Sequence, residues 1–115
     1  MTEISTRRLY DGAPPGWHAI LVDRVWPRGI AKDDLSATWV KEVGPSTELR
    51  TWFGHDPDRF EEFAERYRTE LDGADAFTKL LEEVRSHQRV VLLYGAKDTE
   101  HNQAVVLADL LREKL

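Results

Sequence analysis

The chain has no cysteine among its 115 residues. Disulfides, thiolate nucleophiles, iron–sulfur clusters and cysteine zinc sites are excluded, and a reducing, cytoplasmic setting is the expectation. Long hydrophobic runs are missing as well. The longest unbroken ones, such as Ala19–Val22 and Val90–Tyr94, fall far short of the roughly 20 residues of a membrane span. The opening stretch, MTEISTRRLY, contains no apolar signal segment. Nor is there an excess of positive charge: 16 Lys and Arg stand against 21 Asp and Glu, a net charge of −5. No membrane partner and no strong nucleic-acid signal are therefore expected, and an anion site, if there is one, must be a local cluster.

What is there is an ordinary globular composition, 41% hydrophobic and 32% charged, at a length that suits one domain over residues 1–115. The continuous apolar runs within 18–24 and 90–94 read as strands covered on both faces. Residues 4–10 read as an edge strand, and a short extended piece is expected around Trp39. Ser46 as N-cap and Gly54 as stop bracket a short helix. Asp56-Pro57 opens a longer one, over 57–71, with Phe60, Phe63, Ala64, Tyr67 and Leu71 on one stripe. Further helices are predicted over 76–86, through Phe77, Leu80, Leu81 and Val84, and about 101–113, with Ala104, Val105, Leu107, Ala108 and Leu111 inward. Strands joined by helical crossovers are usually parallel, so the fold class is α/β, a single small domain with a mostly parallel central sheet and helices packed on it.

In such sheets ligands bind beyond the C-terminal ends of the strands. Two loops meet there, DRVWPRGI after the first buried strand and YGAKDTEHN after the second. The second runs into a helix N-terminus, where free N–H groups favour an anion. Arg24, Arg28 and Lys97 are the candidate anion contacts, with backbone N–H groups of 99–102 beside them. Trp26 is the candidate apolar wall. Asn102, Asp98 and His101 are placed to orient a ligand, the last two also forming a weak acid–base pair. Each residue also fits a structural role: Arg24 pairing with Asp23, Trp26 as core, Asp98 as a helix cap. Arg50 and Arg59 read as members of solvated faces, and Trp52 as core. None of the four histidines, His18, His55, His87 and His101, falls into a metal-ligand spacing, so neither a metal nor a cofactor is predicted. Nucleophile-elbow, Walker and dinucleotide motifs are missing.

The segments ILVDRVWPRGI, WVKEVGPSTELRTWFGHDP and LLYGAKDTEHNQAVVLADLL resemble the short bacterial, YeaO-like branch of domain-of-unknown-function family 488 over nearly the whole chain. The resemblance implies a compact α/β domain and no established activity. Longer members carry cysteines and a Cys-His-Arg segment in the loop before the last helix. Here Tyr94-Gly95-Ala96-Lys97 and His101-Asn102-Gln103 stand instead, so thiol or metal chemistry does not carry over. The position is similar to the active-site loop of rhodanese-like domains, without its cysteine. Two functional readings remain: a domain that binds a small phosphate- or carboxylate-bearing ligand at the sheet edge, as an enzyme or not, and a non-catalytic module presenting a Trp/Arg patch to a protein or nucleic acid. A concave pocket favours the first, a flat exposed patch the second.

Overall fold

All four strands of the sheet run parallel, in the order β1-β4-β2-β3, and this order dictates where the rest of the chain can go. A computed structural model describes residues 2–115, apart from the side chain of Lys32. The strands are β1 (Glu3–Arg8), β2 (His18–Leu21), β3 (Thr38–Trp39) and β4 (Arg89–Tyr94). The helices are α1 (Thr47–Phe53), α2 (Phe60–Leu71), α3 (Asp75–Arg85) and α4 (Gln103–Lys114). The two apolar runs are neighbours in the sheet centre, with Ile20 opposite Leu92, and β1 is an edge strand as its mixed composition predicts.

From β1 to β2 and from β2 to β3 the chain moves in one direction across the sheet. From β3 to β4 it moves back. Right-handed crossovers then require the first two connections to lie on one face and the third on the other. The packing follows this. Ile20, Val22, Val90, Leu92 and Tyr94 point into a large core with residues of all four helices. The alternate residues Ala19, Leu21, Val91 and Leu93 meet a smaller cluster made of Leu9, Trp17, Trp26, Ile30, Leu35 and Trp39. One face is thus covered by helices and the other by loops rich in tryptophan.

The local signals form the expected elements. The Ser46 hydroxyl accepts from the Leu49 N–H, and Gly54 closes α1 in the left-handed region at φ 54°. Asp56 caps a 3-10 turn, Pro57–Arg59, that leads into α2, so the predicted helix 57–71 is α-helical from Phe60. Three details differ from the periodic reading. Phe60 and Leu81 are half-buried at the margin of the core. In α4, Val106 is buried and Val105 only partly, because this helix lies deep and also buries Leu110. Trp52 is half-buried, with the Arg59 and Arg66 guanidinium groups over its ring at 5.4 and 4.3 Å.

Candidate functional site

The chain leaves β2 toward the loop-covered face and leaves β4 toward α4 on the helical face. Adjacent parallel strands whose outgoing chains part in this way open a crevice between their C-terminal ends. An open cleft of about 500 Å³ lies there, lined by Asp23, Arg24, Val25, Pro27 and Arg28 after β2, and by Gly95, Ala96, Asn102 and Gln103 after β4. Tyr10 after β1 closes one side; Pro45, Arg50, Thr51, Phe53 and His55, in and around α1, close another.

Asp23 ties the two halves together. One carboxylate oxygen accepts from the Gly95 N–H at 2.9 Å, and the other accepts from the Gln103 side-chain amide. Its own carbonyl receives the Trp39 indole N–H at 2.7 Å. A Cβ on Gly95 would stand 2.9 Å from the Asp23 carboxylate, so the contact requires glycine. Burial pushes the Asp23 carboxyl above its ordinary 3.8, while the Gly95 and Gln103 hydrogen bonds and the charges of Arg50 and His55 pull it back.

The three arginines of the cleft are held differently. Arg24 donates from Nε to the Pro45 carbonyl and from a terminal nitrogen to the Gly44 carbonyl, both at 2.8 Å. Gly44 makes this approach possible, because a Cβ there would lie 2.8 Å from Arg24 Cβ. The alternative structural role for Arg24, pairing with Asp23, gives way to this clamp on backbone carbonyls. Arg28 and Arg50 are exposed, and among the described residues neither guanidinium has a hydrogen bond or ion pair. Arg28 is fixed only through its carbonyl, which accepts from the Tyr10 hydroxyl at 3.3 Å. His55 is the one non-glycine residue at positive φ among the described residues, 57°. Such backbone costs of order 1–3 kcal/mol and is held by its surroundings.

Of the residues singled out in the sequence, Arg24, Arg28 and Asn102 line the cleft; Trp26, Lys97, Asp98 and His101 do not. Trp26 turns away into the loop-covered face, edge-on to Trp39 at 5.0 Å, and its indole N–H binds the Ile30 carbonyl at 2.7 Å. Lys97 is exposed on the loop. The backbone N–H groups of Glu100 and His101 are already bound to an Asp98 carboxylate oxygen at 2.9 and 3.0 Å, and so are not free for an anion. The second Asp98 oxygen meets His101 Nδ1 at 2.9 Å. The Glu100 N–H first, then the bonds from His101, hold the Asp98 carboxyl below its ordinary 3.8. Asn102 is buried and is the cap of α4, accepting from the Val105 N–H and donating to the Asp98 carbonyl. Sequence reasoning missed Asp23, Arg50, His55 and Gln103. The Phe53-Gly54-His55 helix stop was the signal closest to hand.

A second cluster sits at the opposite, N-terminal edge of the sheet. His18, Glu83 and His87 bring three ligand atoms within 4.8 Å of one another. Spacing along the chain could not reveal it, because His18 and Glu83 are 65 residues apart.

Fold and cleft together define a small parallel α/β domain with a cationic crevice at its topological switch point. Sequence comparison takes this further. The model of a family described as the inactive DUF488-N3 subclade matches residues 3–115, and the chain belongs to that family. It is 45% identical over 111 residues to the uncharacterized protein YeaO of Escherichia coli (strain K12), covering 95% of this chain and 96% of that one. It is 39% identical over 112 residues to the uncharacterized protein Mb3100c of Mycobacterium bovis, covering 96% and 94%. No solved structure matches the chain. No helix among the described residues is long and apolar enough to cross a membrane.

Proposed function

We propose that the domain binds a small anionic ligand, phosphate- or carboxylate-bearing, in the cleft at the C-terminal edge of the sheet. The observation that carries this reading is the pair of unsatisfied guanidinium groups, Arg28 and Arg50. They line one concave surface with Arg24 in a protein of net charge −5. Arginine is the side chain best suited to bidentate capture of such a group. Three guanidiniums face a single lining carboxylate, Asp23, whose burial already disfavours its charge. Arg24, fixed by carbonyls, is the rigid wall; Arg28 and Arg50 are the arms that close on the ligand.

Binding without turnover is the better-supported form of this reading. The side-chain hydroxyls that line the cleft are those of Tyr10 and Thr51, and neither lies in a nucleophile motif. Asp98 and His101, the candidate acid–base pair, bind each other outside the cleft. The family's description as inactive agrees with this. The rival reading, a tryptophan-centred docking patch, loses its anchor because Trp26 packs inward.

The test is a thermal-shift and calorimetric screen of inorganic phosphate, nucleotides and dicarboxylates against the wild type and Arg28→Ala. The expected outcome is a stabilising anion whose binding weakens by about 1.5–3 kcal/mol in the variant, a tenfold to hundredfold loss, with the unliganded melting temperature nearly unchanged. Equal binding by both proteins would overturn the assignment of Arg28. The absence of any stabilising anion would overturn the reading as a whole.

A further inference from the structure

We infer that His18, Glu83 and His87 form a binding site for a divalent first-row transition ion, zinc being the probe of choice, at the sheet edge away from the anionic-ligand cleft. His18 is the first residue of β2, Glu83 lies in the last turns of α3, and His87 follows that helix. The crossover from β3 through α3 to β4 therefore returns two ligands beside β2, the neighbouring strand that carries the third.

The donor set is the first argument. Two imidazole nitrogens and one carboxylate oxygen suit zinc, nickel, cobalt and copper, whereas calcium and magnesium favour all-oxygen sites. The spacing is the second. Zinc bonds of about 2.0–2.2 Å at tetrahedral angles set neighbouring ligand atoms roughly 3.4 Å apart. Glu83 Oε1 lies 2.9 Å from His18 Nε2 and 3.7 Å from His87 Nε2, on either side of that value. Access is the third. The side chains are 24%, 41% and 38% exposed, so an ion can enter, and a water can complete the coordination.

The two imidazole rings are stacked, with centroids 3.7 Å apart and planes 11° from parallel. Their lone pairs must splay to converge on one ion. His87 lies outside helix and strand and is the more exposed ring, so rotation about its side-chain bonds is enough. Its backbone meanwhile stays anchored: the Thr2 hydroxyl donates to the His87 carbonyl at 2.9 Å, and the His87 N–H donates to the Val84 carbonyl at 3.2 Å. His18 is held from both sides, by the sheet and by Glu83. The proposed site is thus half preformed, with one mobile arm.

The test titrates the untagged, metal-free chain with zinc chloride by calorimetry, and with nickel chloride while following tryptophan fluorescence, since Trp17 adjoins His18. Saturable one-to-one binding is expected. It should weaken at least tenfold in His87→Ala and in Glu83→Gln, and stay unchanged in His101→Ala, which removes the His–Asp pair of the other edge. Circular dichroism checks that each variant is folded, and Glu83→Gln, which preserves shape, decides the matter if His87→Ala is not. Binding should fall on acidification, because imidazole must shed its proton to bind a metal. Lack of saturation at millimolar zinc would overturn the inference. So would binding that survives both variants, or that His101→Ala abolishes.

Discussion

The two faces of the sheet are buried by different means. On one, side chains of four helices fill a core around Tyr67, Phe63 and Leu107, all essentially sealed from water. On the other, three half-buried tryptophans, Trp17 and Trp26 on loops and Trp39 at the end of the short strand β3, lie across Ala19, Leu21, Val91 and Leu93. The helical face is stabilised by many small, interlocking apolar contacts. The loop face relies on a few large rings, each tied by its polar end: the Trp26 indole to the Ile30 carbonyl, the Trp39 indole to Asp23. The connections from β1 to β2 and from β2 to β3 hold only 3-10 turns, so helices cover just one face. Tryptophan lets a loop of few residues cover the other, because each ring buries a large area at two side-chain torsions.

The sharpest way to break this comparison is to remove one anchor from each face. Leu107 is fully buried against the sheet, and Leu107→Ala should cost about 2–5 kcal/mol, from lost transfer energy plus the cavity left in a core that cannot collapse. Trp26→Ala removes a larger side chain from a half-exposed position whose loop can relax, and about 1–3 kcal/mol is expected. Denaturant unfolding of both variants measures the pair. A larger loss for Trp26→Ala would mean that the loop face is the principal core.

This difference between faces is also the difference between what the sequence reveals and what it hides. Helices announce themselves locally, through the Ser46 cap, the Gly54 stop, the Asp56-Pro57 start and the stripes at helical spacing. The loop face has no period to read, so Trp26 resembles a ligand wall as readily as a core residue. The cleft is partly legible. Arg24, Arg28 and Asn102 follow from the rule that binding occurs at strand C-terminal ends. Arg50 and His55 reach the same cleft only because α2 and the 3-10 turn Lys41–Val43 set the position of α1, a tertiary effect no local pattern carries. Likewise the N–H groups of Glu100 and His101, offered as anion donors, are satisfied by Asp98 two and three residues before them, in keeping with its alternative reading as a cap.

That tertiary link is testable at Tyr67. Its hydroxyl, buried and with its proton held far more tightly than usual because of that burial, donates to the carbonyl of Val43, the residue before the Gly44-Pro45 carbonyls that clamp Arg24. Tyr67→Phe leaves the Val43 carbonyl without this donor in the core, and about 1–3 kcal/mol of stability should be lost. The helical face would otherwise keep its packing. Unchanged stability by denaturant titration would show that water or a shifted turn replaces the bond, and that α1 is positioned by packing alone.

The smallest effect lies at Asp23, where the two faces meet. Its carboxylate joins the end of β2 to Gly95 and Gln103, and its carbonyl holds Trp39 of the loop face. Burial raises its proton affinity in the folded chain above the ordinary 3.8. The folded state therefore binds this proton more tightly than the unfolded state does. The resulting stabilisation is complete below 3.8, where both states are protonated, and is lost as pH rises through the higher folded value. Asp23→Asn removes the titration while keeping an acceptor for the Gly95 N–H, and the Gln103 amide can turn to accept from the new amide. Wild type should thus lose stability relative to Asp23→Asn as pH rises from below 3.8 into the mildly acidic range, and the difference should then level off. Chemical unfolding of both proteins across that range measures it. Parallel curves would mean that the hydrogen bonds from Gly95 and Gln103 and the charge of Arg50 fully offset the cost of burial. A gap moving the opposite way would mean that they exceed it, and that Asp23 is held as a charged tie between the two faces.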